Sequence, residues 1–351
     1  MKLVAGAAWL LLTALAGPAA AQGARPGGGS APLAVREIGS MHVGGRVAAV
    51  EGLPERETVF SPGAPPLRVA PNGRFHVEQM YALFVKLEAP RARYPLLLWP
   101  GGLTGATWET TPDGRPGWQM FFLRAGHDVY VSDAVERGRS GWARFPEVFA
   151  GEPVFRTVGE GWALFRIGER SEWDDDAARR VPFPGGRFPI AHWDRFAKQS
   201  APRWTTTDRQ IQAAYDAIVQ AVCPCVVMAQ SQGGNFAFTA ALNALDKVRA
   251  VIAVEPSGTP GADAQAARVG GVPHSVVWGD RIAEDPFWSR IRGNVERWQE
   301  RVRAAGGGAD TLDLPAAGVT GNSHMLMMDN NSDDAASRVQ RWMEAEGLMR
   351  D

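Results

Sequence analysis

Short apolar runs recur along the chain and indicate the strands of a buried sheet. The predicted strands are residues 37–50, 75–87, 95–99, 127–133, 226–228, 249–254, 275–278 and 311–314. An unbroken apolar run such as 95–99 is typical of a parallel strand that is covered on both faces, whereas the alternation in 75–87 predicts one buried face. The pattern therefore predicts a sheet with a large, buried parallel part.

Helical periodicity fills several intervals between these runs. The clearest helix is 207–222, with Thr207 or Asp208 as N-cap and an apolar face made of Ile211, Ala214, Tyr215, Ile218 and Val222. Further helices are predicted at 117–125, 235–242 and 333–346. Strands that alternate with helices predict right-handed βαβ units, so the fold class is α/β, with a mostly parallel central sheet flanked by helices.

The alternation stops in the segment at about 141–207, which is dense in Trp, Phe, Pro and charged residues. We expect this segment to be an inserted cap above the carboxyl edge of the sheet, where α/β folds bind ligands. Its aromatic side chains either line an apolar substrate pocket or hold a small irregular subdomain together.

The start of the chain is typical of an exported protein. Residues 1–21 combine Lys2, an apolar centre and a small-residue end before Gln22, which predicts a cleaved signal peptide. Residues 22–34 are rich in Gly, Pro and Ala and predict a flexible leader, so the main domain is 35–351. We expect a periplasmic or secreted protein without a membrane anchor.

Charge and cysteine content narrow the possible partners. The chain has 37 basic and 38 acidic residues and no basic run, which argues against nucleic acid as a partner. Cys223 and Cys225 flank Pro224 and form either a tight disulfide or two buried thiols. Two cysteines alone do not make a metal cage, so no metal site is predicted.

Ser231 lies between the apolar run 226–228 and a helix of small residues. Ala229 is two residues before it and Gly233 two residues after it, followed by Gly234. This pattern is typical of a nucleophile elbow, in which small neighbours permit a tight turn that exposes the serine Oγ. The alternative is a glycine-rich corner with an incidental serine.

Candidate partners for Ser231 follow later in the chain. His324 lies in a loop before the last predicted helix, and Glu255 and Asp280 each follow a predicted strand. The order Ser, acid, His is that of α/β-hydrolases. Position along the sheet alone favours Asp280, but the longer side chain of Glu255 could reach the same imidazole from one strand nearer.

Two glycines, Gly101 and Gly102, follow the predicted strand 95–99. Glycines at this position let a loop turn back with exposed backbone N–H groups, as an oxyanion hole requires. An ordinary glycine turn would explain the same residues.

Several stretches together resemble a group of secreted bacterial α/β-hydrolase esterases. These are HVGG at 42–45, PGGLTGATWE at 100–109, AQSQGG at 229–234, VEPSG at 254–258 and GNSHMLMMDNNSD at 321–333. The resemblance covers most of the chain after the predicted signal. It implies the α/β-hydrolase fold, with Ser231, His324 and Glu255 as catalytic triad.

The resemblance also implies that the backbone N–H groups of Gln232 and Gly101 form the oxyanion hole. Gly102 is the alternative to Gly101 as a donor. The chain departs from the group at Trp99-Pro100, where a His-Gly pair is usual, and at Gly101-Gly102, where adjacent cysteines can occur. Any redox feature of that loop is therefore absent.

The function predicted is that of an exported serine carboxylesterase acting on small, fairly apolar esters without a cofactor. A lactonase or another acyl hydrolase would use the same triad. A noncatalytic hydrolase-fold protein that binds a ligand under the cap is the alternative of a different class. The oligomeric state is left open, with a homodimer as one possibility.

Overall fold

A computed structural model describes residues 31–142, 144–261 and 266–350. Its main sheet has eight strands, and each predicted strand is present with small shifts at its ends. The strands are β1 (Val35–Val50), β4 (Gly73–Leu87), β5 (Leu96–Trp99), β6 (Val129–Asp133), β7 (Cys225–Gln230), β8 (Val248–Val254), β9 (His274–Trp278) and β10 (Ala309–Asp313). A separate two-stranded sheet consists of β2 (Arg56–Thr58) and β3 (Leu67–Val69).

The sheet is mostly parallel, as predicted. Its strand order is β1-β4-β6-β5-β7-β8-β9-β10. The pairs from β6 through β10 are parallel, while β1 with β4 and β4 with β6 are antiparallel. Strand β7, which precedes Ser231, lies between β5 and β8, so the loops after three adjacent strands meet at one edge.

The α-helices described are α1 (Ala106–Glu109), α2 (Trp118–Arg124), α3 (Val158–Leu164), α4 (Trp193–Ala197), α5 (Asp208–Val222), α6 (Gln232–Asn243), α7 (Pro286–Ala304) and α8 (Ser332–Ala345). Helices α2, α5, α6 and α8 agree with the predicted helices, whereas α7 was not predicted. Thr207 occupies the N-cap position of α5, but its hydroxyl donates to Glu136 Oε1 at 2.7 Å and does not cap the helix.

Apolar side chains cover both faces of the sheet. On one face, Tyr215 of α5, Phe238 of α6 and Trp298 of α7 belong to a common core. On the other face, Phe122 of α2 and Met343 of α8 pack against the opposite side of the same strands. Burial on both faces explains why the central strands are unbroken apolar runs.

The 141–207 segment has little regular structure, and α3 and α4 are its α-helices. Trp162, Trp193 and Phe196 are buried in it and belong to the same core as α2 and α8. The predicted signal peptide lies outside the described residues, as do residues 22–30 of the predicted leader. Within the described part of the chain, no helix is both long and apolar enough to cross a membrane.

Cys223 and Cys225 are joined by a disulfide just before β7, which is the first of the two alternatives that the sequence left open.

Candidate active site

Ser231 is the single residue between the end of β7 and the start of α6. Its φ of 52° and ψ of −121° lie in a region that residues other than glycine rarely adopt, as a strained strand-to-helix turn requires. A Cβ on Gly233 would lie 2.7 Å from Pro100 O. The small residues around Ser231 are thus explained by close backbone contacts at this turn.

The loop after β5 lies directly against Ser231. A Cβ on Gly101 would be 2.6 Å from Ser231 Cβ, so only glycine fits there. The buried Arg137 holds the loop, because its Nη1 donates to Gly101 O at 2.6 Å and its Nη2 donates to Gln232 Oε1 at 3.1 Å. Gly102 lines the cavity described below, and Gly101 is buried behind it. Gln232 is the first residue of α6, where backbone N–H groups have no intrahelical acceptor.

Glu255 and His324 form a buried carboxylate–imidazole pair. Glu255 Oε2 is 3.1 Å from His324 Nδ1. Glu255 Oε1 accepts from Gly279 N–H at 2.5 Å and from Arg166 Nη2 at 2.6 Å. Donation by Nδ1–H to the carboxylate leaves Nε2 unprotonated, which is the tautomer that a general base needs.

The carboxylate of Asp280, the alternative acid, binds backbone N–H groups. Its Oδ1 accepts from the backbone N–H of Arg281 at 2.7 Å, and its Oδ2 accepts from Gly321 N–H at 2.6 Å. The carboxylate of Asp280 thus braces the start of the loop that carries His324, whereas the carboxylate of Glu255 contacts the imidazole.

The 141–207 segment contributes directly to this pair through residues that sequence reasoning missed. Phe165 O accepts from His324 N–H at 2.9 Å, and the Phe165 ring stacks on the imidazole with centroids 5.8 Å apart. Arg166 is buried beside them, and its Nε also donates to Asp280 O at 2.8 Å. The ring of Trp288 on α7 also packs against the imidazole, with ring centroids 4.2 Å apart.

Burial and charge act together on the two titratable groups of the pair. Burial lowers the pKa of His324 below its ordinary value, and the nearby Arg166 lowers it further, although Glu255 acts in the opposite sense. Burial alone would raise the pKa of Glu255, but Arg166 and His324 outweigh it and hold that pKa below its usual range. The electrostatics therefore favour an ionised Glu255 beside a neutral His324 near neutral pH.

Gln230, the last residue of β7, contacts the imidazole at Nε2, the ring nitrogen that does not face Glu255. Its Nε2 is 3.0 Å from His324 Nε2 and 3.3 Å from His324 O. The side-chain amide therefore donates to the unprotonated Nε2. A polar residue at the end of an apolar strand, directly before Ser231, was the signal that could have identified it.

The loop 318–329 is fixed by a buried acid, Asp329. Its Oδ1 accepts from Ser323 Oγ at 2.7 Å, and its Oδ2 accepts from Ser323 N–H at 2.8 Å and Asn322 Nδ2 at 2.9 Å. Burial raises the pKa of Asp329 to about 7 in spite of these bonds. The residue before His324 is thereby held through both its side chain and its backbone.

Ser231 and His324 line one cavity of about 460 Å³. Its wall includes the apolar side chains of Leu103, Leu164, Phe165, Phe196 and Met325. It also includes the polar or charged side chains of Arg156, Arg203, Asp208 and Gln232. Among the described residues, no group of three or more His, Cys, Asp or Glu side chains is placed to hold a metal ion.

Single known proteins, rather than a family model, show what this chain is related to. No protein-family model matches the chain. It is 25% identical over 332 residues to the probable secreted lipase phiG of Fungal sp. (strain ATCC 74256), covering 78% of this chain and 88% of that protein. It is also similar to the solved structure of a novel bacterial esterase, with 30% identity, a TM-score of 0.79 and coverage of 91% of this chain and 98% of that one.

The mostly parallel eight-stranded sheet and the flanking helices define an α/β-hydrolase. Within that class, the chain belongs to the family of the bacterial esterase and is a carboxylic ester hydrolase.

Proposed function

We propose that the protein is a serine carboxylesterase in which Ser231 is the nucleophile, His324 the general base and Glu255 the acid of the triad. The observation that carries the proposal is the buried contact of 3.1 Å between Glu255 and His324, beside a strained Ser231 on the wall of the same cavity. Order along the chain and family membership support the same three residues.

The chemistry follows from the tautomer of His324. Its Nε2 takes the proton of Ser231 Oγ as the oxygen attacks the ester carbonyl, and Glu255 stabilises the imidazolium that forms. The imidazolium then returns the proton to the leaving alcohol, which leaves an acyl group on Ser231. Water repeats the two steps and releases the acid. In the first step the Ser231 hydroxyl must displace the Gln230 amide from Nε2 or bind Nε2 beside it.

The negative oxygen of the tetrahedral intermediate would be stabilised by the backbone N–H of Gln232 and by one from the loop after β5. Gly101 is held by Arg137 and lies so close to Ser231 that no side chain would fit between them, while Gly102 lines the cavity. Both glycines are therefore candidates for the second donor. Fixed backbone donors of this kind contribute about 3 kcal/mol each to lowering the barrier.

The substrates are small esters with a fairly apolar carbon chain, because the cavity that holds Ser231 is about 460 Å³ and many of its lining side chains are apolar. We assign the role of a cap to the 141–207 segment, since its residues form much of the cavity wall. Export is proposed from the composition of residues 1–21 and from the secreted relative.

The proposal is tested by labelling with a fluorophosphonate and by hydrolysis of short p-nitrophenyl esters. The wild-type protein should be modified once, on Ser231, and Ser231→Ala should lose label and about 10⁴-fold or more in kcat without unfolding. Unmodified wild-type protein, in a sample where a control esterase reacts fully, would contradict the assignment of Ser231 as the nucleophile.

The assignment of the acid is tested with a matched pair of variants. Glu255→Gln removes the charge that faces the imidazolium and should lower kcat by about 10³- to 10⁴-fold. Asp280→Asn changes an acid that holds only backbone groups, so its loss should be far smaller. The reverse order of the two losses, in folded proteins, would assign the role to Asp280.

A further inference from the structure

A half-buried arginine, Arg203, lies on the cavity wall beside the groups proposed to stabilise the oxyanion. Its Nη1 donates to Gln232 Oε1 at 2.5 Å and lies 3.8 Å from the position that a Cβ on Gly102 would occupy. The same Gln232 oxygen accepts from Arg137, and Gln232 Nε2 donates to Asp208 Oδ1 at 3.2 Å. The guanidinium is therefore held in place at the edge of the reacting centre.

The hydrogen-bonding capacity of Arg203 is largely unused within the described part of the chain. It forms no ion pair there, and Nη1 makes its only side-chain hydrogen bond. None of its other guanidinium nitrogens is buried without a hydrogen-bond partner. Because Arg203 lines the cavity, these donors are accessible from the cavity. A planar guanidinium with free N–H groups matches the geometry of a carboxylate.

Burial and a neighbouring positive charge both disfavour the charged form of Arg203, and a bound anion would offset both effects. Burial, and then the like charge of Arg156 on the same wall, lower the pKa of Arg203 from its ordinary value, although Asp208 and Glu136 act against that. Each of these other groups has a partner. Arg156 lies 4.0 Å from Glu160, Glu136 accepts from Thr207, and Asp208 accepts from Gln232. An arriving carboxylate would relieve the repulsion between the two arginines.

We propose that Arg203 binds a free carboxylate on the ester substrate, so that the enzyme prefers esters with a second, ionised acid group over neutral esters of the same length. The inference rests on the proposed function of Ser231. In this arrangement the apolar side chains of the cavity wall contact the carbon chain between the scissile ester and the carboxylate.

The test compares anionic and neutral esters that differ in one methyl group. Monomethyl and dimethyl glutarate place the carboxylate on the acyl side, and acetoxyacetate and its methyl ester place it on the alcohol side. In at least one pair, Arg203→Gln should lower the ratio of kcat/KM for the anionic to the neutral ester by about tenfold or more, mainly through KM. The affected pair tells on which side the carboxylate lies.

Two further variants serve as controls. Arg209→Gln removes an exposed arginine near the start of α5 that is not on the cavity wall, and should leave the ratio unchanged. Arg203→Lys keeps the charge but loses the planar fork, and should lower the ratio by less than Arg203→Gln. An unchanged ratio of kcat/KM in both Arg203 variants, whether or not the two values fall together, would overturn the inference.

A binding measurement separates this inference from the proposed catalytic function. Glutarate is titrated calorimetrically into Ser231→Ala and into Ser231→Ala with Arg203→Gln, so that turnover plays no part. The second protein should bind at least tenfold more weakly. Equal binding would overturn the inference, whereas failure to hydrolyse any ester, with this difference intact, would overturn only the catalytic assignment.

Discussion

The guanidinium of Arg166 touches the same carboxylate that supports His324, at a distance of 2.6 Å. It is buried together with that carboxylate, so solvent screens the interaction little. Its positive charge has two effects at the level of single groups. It keeps Glu255 ionised, and it opposes the protonation of His324.

These effects predict the pH dependence of catalysis. In the proposed mechanism only neutral His324 can accept the Ser231 proton. The value of kcat/KM should therefore rise with pH through the His324 pKa, which lies below its ordinary value of 6.5. Arg166→Met removes one cause of that lowering, so the rising limb should move to higher pH. Steady-state profiles between about pH 4 and 9 would show the shift.

A matched control for this prediction is Arg281→Met, because the Arg281 guanidinium contacts Glu284 and Pro184 O. It should leave the rising limb in place. A purely structural role of Arg166 would lower kcat/KM at all pH values without moving the limb, and that result would contradict the electrostatic role.

At the level of elements, what could be read from the sequence depended on local regularity. The strands β5, β7 and β8 were predictable because burial on both faces leaves unbroken apolar runs, and the elbow was predictable because close contacts demand small residues. Helix α7 was missed although its buried Trp288, Val295, Trp298 and Val302 follow helical spacing. The contact of Arg166 with Glu255 joins positions 89 residues apart, so no local pattern encodes it.

Two glycine substitutions test the packing at the elbow and, for comparison, within α7. Gly233→Ala would place a Cβ against the backbone oxygens of Pro100 and Trp99, at 2.7 and 3.2 Å, and should destabilise the protein by about 1–3 kcal/mol. Gly293→Ala lies within α7, where its nearest neighbour would be the flexible Arg297 side chain, and should stabilise by about 0.5–1 kcal/mol. Urea denaturation measures both, and equal signs would contradict the packing described here.

For the molecule as a whole, buried neutral histidines link folding to pH. Burial lowers the pKa of His127 and of His274 to about 4 in the folded protein. In the unfolded chain each takes up a proton near pH 6.5, so falling pH favours unfolding between about 6.5 and 4. Asp329 acts in the opposite sense, because its pKa is raised to about 7 and protonation therefore favours the folded state.

The contribution of one histidine is measured by His274→Phe. The ring stacks on Phe238 with centroids 5.5 Å apart, and phenylalanine can keep that contact while it loses the bond to Val272 O. Between pH 7 and 5 the variant should lose about 2 kcal/mol less unfolding free energy than the wild-type protein. Urea denaturation at both pH values checks this, and identical losses would show that His274 does not resist protonation.

The contacts of Phe165 and Arg166 with the proposed triad have a consequence for protein engineering. A chain segment that only limits the size of a substrate cavity can be shortened to admit larger substrates. Here the same stretch of chain supplies a hydrogen-bond acceptor to His324 and a charged partner to Glu255. Substrate range should therefore be widened by exchanging single lining residues such as Leu103 or Phe196. Deletion of the stretch that contains Phe165 and Arg166 would remove contacts that hold the proposed catalytic groups.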